Sequence, residues 1–214
     1  MRAGLAAIAV ALLVAPFAAA ERQASPRVTV LGDSVAAAIK LVPAAKRIIG
    51  KGIDVRLDLE PCRRLAQLSC PYKGTRPTNA LEAIRAAGTG VGSVAVVYVG
   101  HNDVPGEYAH DLDVTMQALV SAHVDAVLWV PLREDRPGYR SINQAIREAA
   151  ARWPQLRIAD WASASRGRSA WFAADGLHLS AQGATALARF LRARIGDLVC
   201  DAACSHRGPG RQLS

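Results

Sequence analysis

Short apolar segments alternate with alanine-rich segments along this chain, and this alternation constrains the fold more than any other feature. The segments over residues 93–99 and 126–132 are nearly continuous apolar runs, which is typical of strands buried on both faces of a parallel sheet. We predict strands over residues 28–31, 53–59, 93–99, 126–132 and 156–161. We predict helices over residues 34–49, 78–88, 111–123, 139–152 and 180–198, with a break at Pro43 and Ser180 as the last N-cap. The pattern predicts an α/β fold with a parallel sheet covered on both faces.

The first twenty residues have the pattern of a secretory signal peptide. Arg2 is followed by an uncharged, mostly apolar stretch over residues 4–20 that ends in three alanines. An uncleaved membrane anchor is the alternative, but the stretch is short for a spanning helix and Pro16 interrupts it. We therefore predict a signal peptide over residues 1–20 and a protein that is secreted or held in the cell envelope.

The remaining chain has the composition of one globular domain. Of the 214 residues of the whole chain, 51% are hydrophobic and 21% are charged, and we place the domain at residues 21–204 and a disordered tail at 205–214. The formal net charge of +8 favours attraction to anionic envelope surfaces. It does not indicate nucleic acid, because the arginines are scattered and aromatic residues, which stack on bases, make up only 5%. We expect a monomer.

Four cysteines form two close pairs in the sequence. We expect the disulfides Cys62–Cys70 and Cys200–Cys204, because export permits disulfides and short loops close easily. Four cysteines allow three pairings, and the sequence does not choose between them. A zinc site is the alternative, although the C-x2-C spacing is missing.

Three polar loops follow predicted strands or precede the last helix. They contain Gly32-Asp33-Ser34, Gly100-His101-Asn102-Asp103 and Asp175-Gly176-Leu177-His178. In open parallel sheets, chemistry takes place at the carboxyl ends of the strands. We therefore expect these loops to meet at one edge of the sheet.

Each loop offers one element of serine hydrolysis, and each has a simpler structural interpretation. Ser34 is a nucleophile if a base activates it, and otherwise a helix cap. His178 is that base if Asp175 fixes its tautomer, and otherwise both are solvated turn residues. Asn102 is an oxyanion donor, or part of an Asn-Asp turn.

The order G-D-S, G-x-N-D and D-x-x-H resembles the SGNH hydrolase superfamily, also called GDSL-type esterases, over about residues 27–195. The tract over residues 143–183, which includes WFAADGLHLSAQG, resembles the SGNH domains attached to bacterial membrane acyltransferases and their free-standing exported relatives.

The resemblance implies a flavodoxin-like three-layer α/β/α fold with a Ser34–His178–Asp175 triad. It also implies an oxyanion hole formed by the Ser34 amide, the Asn102 side chain and a third amide from the loop after the second strand. The family has a glycine on that loop, whereas Cys62 occupies the position here. We take the Cys62 amide as the third donor.

Several other polar and aromatic residues near these motifs receive no catalytic role. His101 fills the variable position of G-x-N-D, Asp33 braces its turn, and Asp103 is structural. Trp171 and Phe172 fit either a substrate pocket or the core.

The predicted function is that of a secreted serine esterase acting on short acyl esters, such as acetyl esters of an envelope carbohydrate or lipid. It needs no metal or cofactor. Two alternatives are an O-acyltransferase acting on an envelope glycan, and a non-catalytic envelope-binding protein on the same fold.

Overall fold

The computed structural model describes residues 26–205, and it describes the side chains of residues 26–199. The predicted signal peptide, the predicted tail after Ser205 and the side chains of Cys200 and Cys204 lie outside the described residues. None of the helices in the described range has the length and apolarity needed to span a bilayer.

Five strands form one sheet in which every neighbouring pair is parallel. They are β1 (Arg27–Gly32), β2 (Asp54–Leu59), β3 (Val94–Tyr98), β4 (Ala126–Trp129) and β5 (Leu156–Ile158), in the order β2-β1-β3-β4-β5. Strand β3 lies at the centre of the sheet and is buried at every position. Its run of β-branched residues follows from this burial, because both faces of a central parallel strand pack against helices.

The helices lie where the alternation predicts them, with some differences at their ends, except for the short helix α6, which the alternation does not predict. They are α1 (Ser34–Leu41), α2 (Pro43–Ile49), α3 (Ala80–Ala87), α4 (Tyr108–Ser121), α5 (Tyr139–Arg152), α6 (Trp161–Ala164) and α7 (Ala181–Ser205). Pro43 begins α2, so the single predicted helix over residues 34–49 is two helices. Ser180 caps α7 as predicted, because its Oγ accepts from the Gly183 amide at 3.1 Å.

Strands β4 and β5 are shorter than the sequence predicts. Residues 130–132 remain buried after β4, but Pro131 has no N–H to donate to a sheet ladder. The chain after β5 turns into α6, whose N-cap Asp160 accepts from the Ser163 amide at 3.0 Å. A run of apolar residues therefore predicts burial but not the end of a strand. Pro131, which has no N–H, ends β4, and the N-cap Asp160 ends the extended segment after β5.

Two helical layers enclose the sheet. Helices α1, α2 and α7 pack together, while α4 packs against both α3 and α5 in a second group. The apolar residues of all five strands join these helices in one continuous core. This arrangement is the predicted three-layer α/β/α fold.

The strand order creates a crevice at the carboxyl end of β1. The chain passes from β1 to β2 on one side and then crosses to β3 on the other side, so the connections diverge here. Strand β1 ends at Gly32, where only glycine fits. A β-carbon at this position would lie 2.4 Å from the Ala36 β-carbon and 2.8 Å from Leu59 Cδ2. This close approach positions the next two residues, Asp33 and Ser34, in the crevice.

Candidate active site

Ser34 is the first residue of α1, and its hydroxyl is free of any capping role. Asp33 is the N-cap instead, and its Oδ1 accepts from the Val35 amide at 3.0 Å. The Ser34 Oγ lies 3.0 Å from His178 Nε2. The structural interpretation of Ser34 as a helix cap is therefore wrong, because its neighbour performs that function.

Asp175 and His178 lie on a short loop that closes on itself, and we call residues 172–179 the base loop. A β-bridge joins Phe172 to Leu179 at its ends, and the Ala173 amide donates to the His178 carbonyl at 2.7 Å. Gly176 turns the chain between the two functional residues with a φ of 71°.

The Asp175 carboxylate uses both oxygens within the base loop. Its Oδ1 accepts from the amides of Leu177 and His178, at 2.9 and 3.0 Å. Its Oδ2 lies 2.7 Å from His178 Nδ1. An ionised carboxylate accepts only, so Nδ1 carries the proton and Nε2 is free to accept from Ser34.

The pKa of Asp175 is lowered to about 2, first by the hydrogen bond from His178 and then by the two backbone amides. The carboxylate is therefore ionised at every pH near neutrality. The side chains of Asp175 and His178 are 47% and 46% exposed, so solvent reaches the pair directly.

Two arginines that the sequence did not single out hold the base loop from outside. Arg133 Nη1 donates to the Gly176 carbonyl at 2.7 Å, and Arg136 Nη2 donates to the Asp175 carbonyl at 3.1 Å. Both follow β4, which is far from residue 175 in the sequence. Scattered arginines on a basic chain give no local signal of such a contact.

We call Asp33 together with residues 60–70 and 100–103 the oxyanion side, after the role that the sequence predicts for Cys62 and Asn102. Asn102 Nδ2 donates to the Arg63 carbonyl at 3.2 Å, so the Asn102 amide lies beside the residue that follows Cys62. Cys62 has a φ of 64°, a left-handed conformation that favours glycine. Within the described part of the chain, the backbone amides of Ser34 and Cys62 donate to no protein acceptor.

Arg63 fixes this loop from the inside, although the sequence gives no reason to expect a buried arginine. It is 1% exposed. Its Nη1 donates to the Asp58 carbonyl and to Asp58 Oδ1, at 2.7 and 2.8 Å. Its Nε donates to the Thr78 carbonyl at 3.0 Å. The guanidinium therefore ties the end of β2 to the segment before α3.

Asp33 and His101 form a second Asp–His pair, and this one is buried. Asp33 Oδ2 accepts from the Gly100 and His101 amides at 3.3 and 3.1 Å, and it lies 2.7 Å from His101 Nδ1. The His101 side chain is 3% exposed and makes edge contacts with the rings of Tyr98 and Tyr139. Asp33 thus braces the turn as predicted, and it links the end of β1 to the end of β3.

Asp103, on the loop after β3, forms a second contact between this loop and the rest of the site. Its Oδ1 accepts from the Leu65 amide at 2.8 Å, while its buried Oδ2 has no hydrogen-bond partner among the described residues. Burial raises the pKa of Asp103 to about 7. Asp103 therefore ties the loop after β3 to the loop after β2 within the oxyanion side.

The predicted Cys62–Cys70 disulfide is not formed in this structure, where both residues are free thiols. The Cys70 amide and Sγ both point at the Cys62 carbonyl, at 3.2 and 3.3 Å. These hydrogen bonds close the short loop without an S–S bond. The hydrogen bond between the two side chains, followed by burial, raises the pKa of the Cys62 thiol to about 11.

Trp171 and Phe172 pack against other side chains. Phe172 is 8% exposed, and the Arg133 guanidinium lies 4.2 Å from the centre of its ring. Trp171 stacks on Trp161 with 5.3 Å between ring centres. Of the two interpretations, the structure favours core packing.

Comparison with known proteins identifies one relative by sequence. No model of a known protein family matches the chain. The peptidoglycan O-acetyltransferase OatA of Listeria monocytogenes is 31% identical over 147 residues, which cover 65% of this chain and 22% of that protein. The chain therefore spans about a fifth of the length of the curated relative that it matches.

Solved structures share the fold. A carbohydrate esterase of family 3 from Talaromyces cellulolyticus superposes with a TM-score of 0.53 and 18% identity, over 82% of this chain and 98% of that one. A carbohydrate acetylesterase family member from Sinorhizobium meliloti gives a TM-score of 0.57 and 15% identity, over 79% and 96% of the two chains. The resemblance expected from the motifs is thereby confirmed in three dimensions, and this chain has the SGNH hydrolase fold.

Proposed function

We propose that this protein is a serine esterase in which Ser34 is the nucleophile, His178 the general base and Asp175 the residue that orients His178. One observation carries the proposal: the unbroken chain of hydrogen bonds from Ser34 Oγ through His178 to Asp175, with distances of 3.0 and 2.7 Å. The capping bond of Asp33 supports it, because it leaves the Ser34 hydroxyl available.

In the first half-reaction, Ser34 Oγ attacks the ester carbonyl carbon while His178 Nε2 takes the hydroxyl proton. The new C–O bond converts the carbonyl oxygen into an oxyanion. As this intermediate collapses, the bond to the leaving alcohol breaks and His178 gives its proton to that alcohol. Ser34 is left as an acyl ester.

In the second half-reaction, water attacks the acyl carbon while His178 Nε2 takes a proton from the water; the bond to Ser34 Oγ then breaks, His178 returns the proton to that oxygen, and the acid is released. Three donors serve the oxyanion in both steps: the amides of Ser34 and Cys62 and the side chain of Asn102. The two amides donate to no protein acceptor among the described residues, which supports this assignment. Each step is a proton transfer or acyl transfer that these side chains complete without a metal or cofactor.

The proposed substrate is a short acyl ester, most simply an acetyl ester, on a carbohydrate of the cell envelope. The esterases that share the fold, one from carbohydrate esterase family 3 and one from a carbohydrate acetylesterase family, support this class. Hydrolysis of aryl esters with acyl chains of two, four and eight carbons tests it. We expect the acetyl ester to be preferred, and a clear preference for the eight-carbon ester would contradict the short-acyl proposal.

The sharpest test of the nucleophile is labelling with a fluorophosphonate probe, which reacts with activated serines. We expect the wild-type protein to be labelled and the Ser34→Ala and His178→Ala variants to remain unlabelled. Circular dichroism establishes that all three are folded. A folded wild-type protein that takes no label would overturn the proposal and would favour a binding protein on this fold.

A second candidate is an O-acyltransferase, in which a sugar hydroxyl rather than water accepts the acyl group. The 31% identity to the peptidoglycan O-acetyltransferase OatA favours it. The first half-reaction is shared, so only the products distinguish the two. Incubation with an acetyl donor and peptidoglycan fragments yields esterified glycan in the transferase case, and free acetate alone in the esterase case.

We also propose that the protein is exported and acts outside the cytoplasm as a monomer. The signal-peptide pattern over residues 1–20 supports export. N-terminal sequencing of the mature protein is expected to begin at Glu21, and light scattering is expected to give the mass of one chain. A mature protein that still begins at Met1 would contradict export, and the mass of two chains would contradict a monomer.

A further inference from the structure

A polar cleft of about 560 Å³ lies beside the base loop, between α5 and the turn after α6. Four arginines and two carboxylates line it: Arg133, Arg140, Arg147, Arg166, Glu134 and Asp135. The guanidinium groups outnumber the carboxylates, so the cleft has a net positive charge. A concave site with a net positive charge raises the local concentration of anionic ligands.

The cleft and the base loop share a wall. Arg133 contributes to the cleft, and it also donates to the Gly176 carbonyl at 2.7 Å. Asp135 also lies near this loop, since a β-carbon built on Gly176 would be 3.9 Å from its Oδ2. A polymer whose acyl group lies at Ser34 therefore has this cleft within reach of its neighbouring units.

Three arginines of the cleft form ion pairs with its two carboxylates, but these pairs are long. Glu134 lies 3.6 Å from both Arg140 and Arg147, and Asp135 lies 3.6 Å from Arg133, so none of these contacts is a hydrogen bond. Arg166 forms neither an ion pair nor a side-chain hydrogen bond with any described residue. Guanidinium groups with unused N–H donors match the geometry of carboxylate and phosphate groups, to which arginine donates two parallel hydrogen bonds.

We propose that this cleft is a subsite for an anionic glycan, and that it binds an acidic unit next to the acylated sugar. The inference rests on the proposed esterase function for its choice of a glycan, but the charge and shape of the cleft are independent of Ser34. Nucleic acid fits less well, because no aromatic side chain lines the described cleft. A lipid also fits less well, because no large apolar side chain lines it.

The kinetic test uses the double variant Arg147→Gln/Arg166→Gln, which leaves the Arg133 contact with the base loop intact. The matched control is Arg47→Gln/Arg85→Gln, which removes the same charge from exposed positions on α2 and α3. Substrates are acetylated oligogalacturonate, which is acidic, and acetylated xylo-oligosaccharide, which is neutral. We expect the double variant to raise KM for the acidic substrate about tenfold or more, and KM for the neutral one less than about twofold. Equal effects on both substrates, or the same effect in the control, would overturn the subsite.

A binding test separates failure of the subsite from failure of the proposed function. Calorimetry with the Ser34→Ala variant measures binding of two probes without acyl groups, oligogalacturonate and a glycerol-phosphate oligomer. We expect at least one probe to bind. The Arg147→Gln/Arg166→Gln substitutions should weaken the binding of that probe about tenfold. The probe that binds more tightly shows whether the cleft prefers a carboxylate or a phosphate. Binding without any esterase activity in the wild type would leave the subsite standing and remove the proposed function. Esterase activity on neutral esters, with no binding of either probe, would remove the subsite and leave the proposed function standing.

Discussion

The two halves of the candidate site are built in opposite ways. On the base loop, Asp175 and His178 are about half exposed, and their side chains bond to each other across three residues. On the oxyanion side, Asp33, His101 and Arg63 are almost fully buried, and their bonds join separate segments: Asp33 to the loop after β3, and Arg63 to the segment before α3. The first half is a local turn on the surface, while the second is a polar network inside the protein.

This difference predicts different responses to substitution. Exposed ion pairs contribute little to stability, so changes on the base loop should alter the rate and leave the fold intact. Buried polar groups that lose their partners cost much more, so changes on the oxyanion side should also alter stability. Five predictions test this contrast.

The largest expected effect is on the base loop, from Asp175→Asn. An asparagine amide favours the wrong tautomer of His178, so kcat/KM for an aryl acetate should fall by about 10³–10⁴-fold. The Tm should change by less than about 2 °C, because the carboxylate is exposed. A large drop in Tm would show that the base loop is structural, and a rate loss below tenfold would remove Asp175 from the mechanism.

Asn102→Ala removes one proposed oxyanion donor. We expect kcat to fall by about 10²–10³-fold while KM stays within about twofold, because this donor acts on the transition state. The lost bond to the Arg63 carbonyl should also cost about 1 kcal/mol in the free energy of unfolding. An unchanged kcat with reduced stability would leave Asn102 as a structural residue.

Asp33→Asn makes the same chemical change as Asp175→Asn, but at a buried position. The new NH₂ group would face the Gly100 and His101 amides, which now donate hydrogen bonds to the carboxylate. We expect a loss of about 2–4 kcal/mol in the free energy of unfolding, measured in urea, and a much smaller loss for the exposed Asp175→Asn. Equal losses in the two variants would contradict the contrast between the halves.

Asp103→Asn addresses the pH dependence of stability. The pKa of Asp103 is raised to about 7 in the folded protein. Between about pH 4 and pH 7 the folded state therefore holds a proton that the unfolded state releases, so stability falls as pH rises through this window. Relative to Asp103→Asn, we expect the wild-type Tm to fall by at least about 3 °C between pH 5 and pH 8. If the Tm of both proteins changed equally with pH, Asp103 would not be the source of the pH dependence.

The smallest effect concerns the left-handed backbone of Cys62. Glycine adopts this conformation without strain, whereas alanine does not. We expect Cys62→Gly to be more stable than Cys62→Ala by about 0.5–1 kcal/mol, with kcat within about twofold of wild type because the backbone amide remains. A lower stability for the glycine variant would indicate that tertiary contacts, rather than backbone strain, dominate at this position.

The sequence predicted each strand of the sheet, most of the helices and the residues that meet in the site. Hydrophobic runs and helix caps are local signals, and the parallel sheet follows from their alternation. The D-x-x-H spacing is equally local, since one tight turn brings Asp175 Oδ2 to within 2.7 Å of His178 Nδ1.

Only the tertiary structure decided the contacts between distant segments. It made Asp33 rather than Ser34 the helix cap, paired Asp33 with His101, and buried Arg63 under the oxyanion side. It also left Cys62 and Cys70 as thiols and placed Arg133 on the base loop. A sequence shows which residues are polar. Which of them lose water, and which partner replaces it, depends on how the strands are ordered in the sheet.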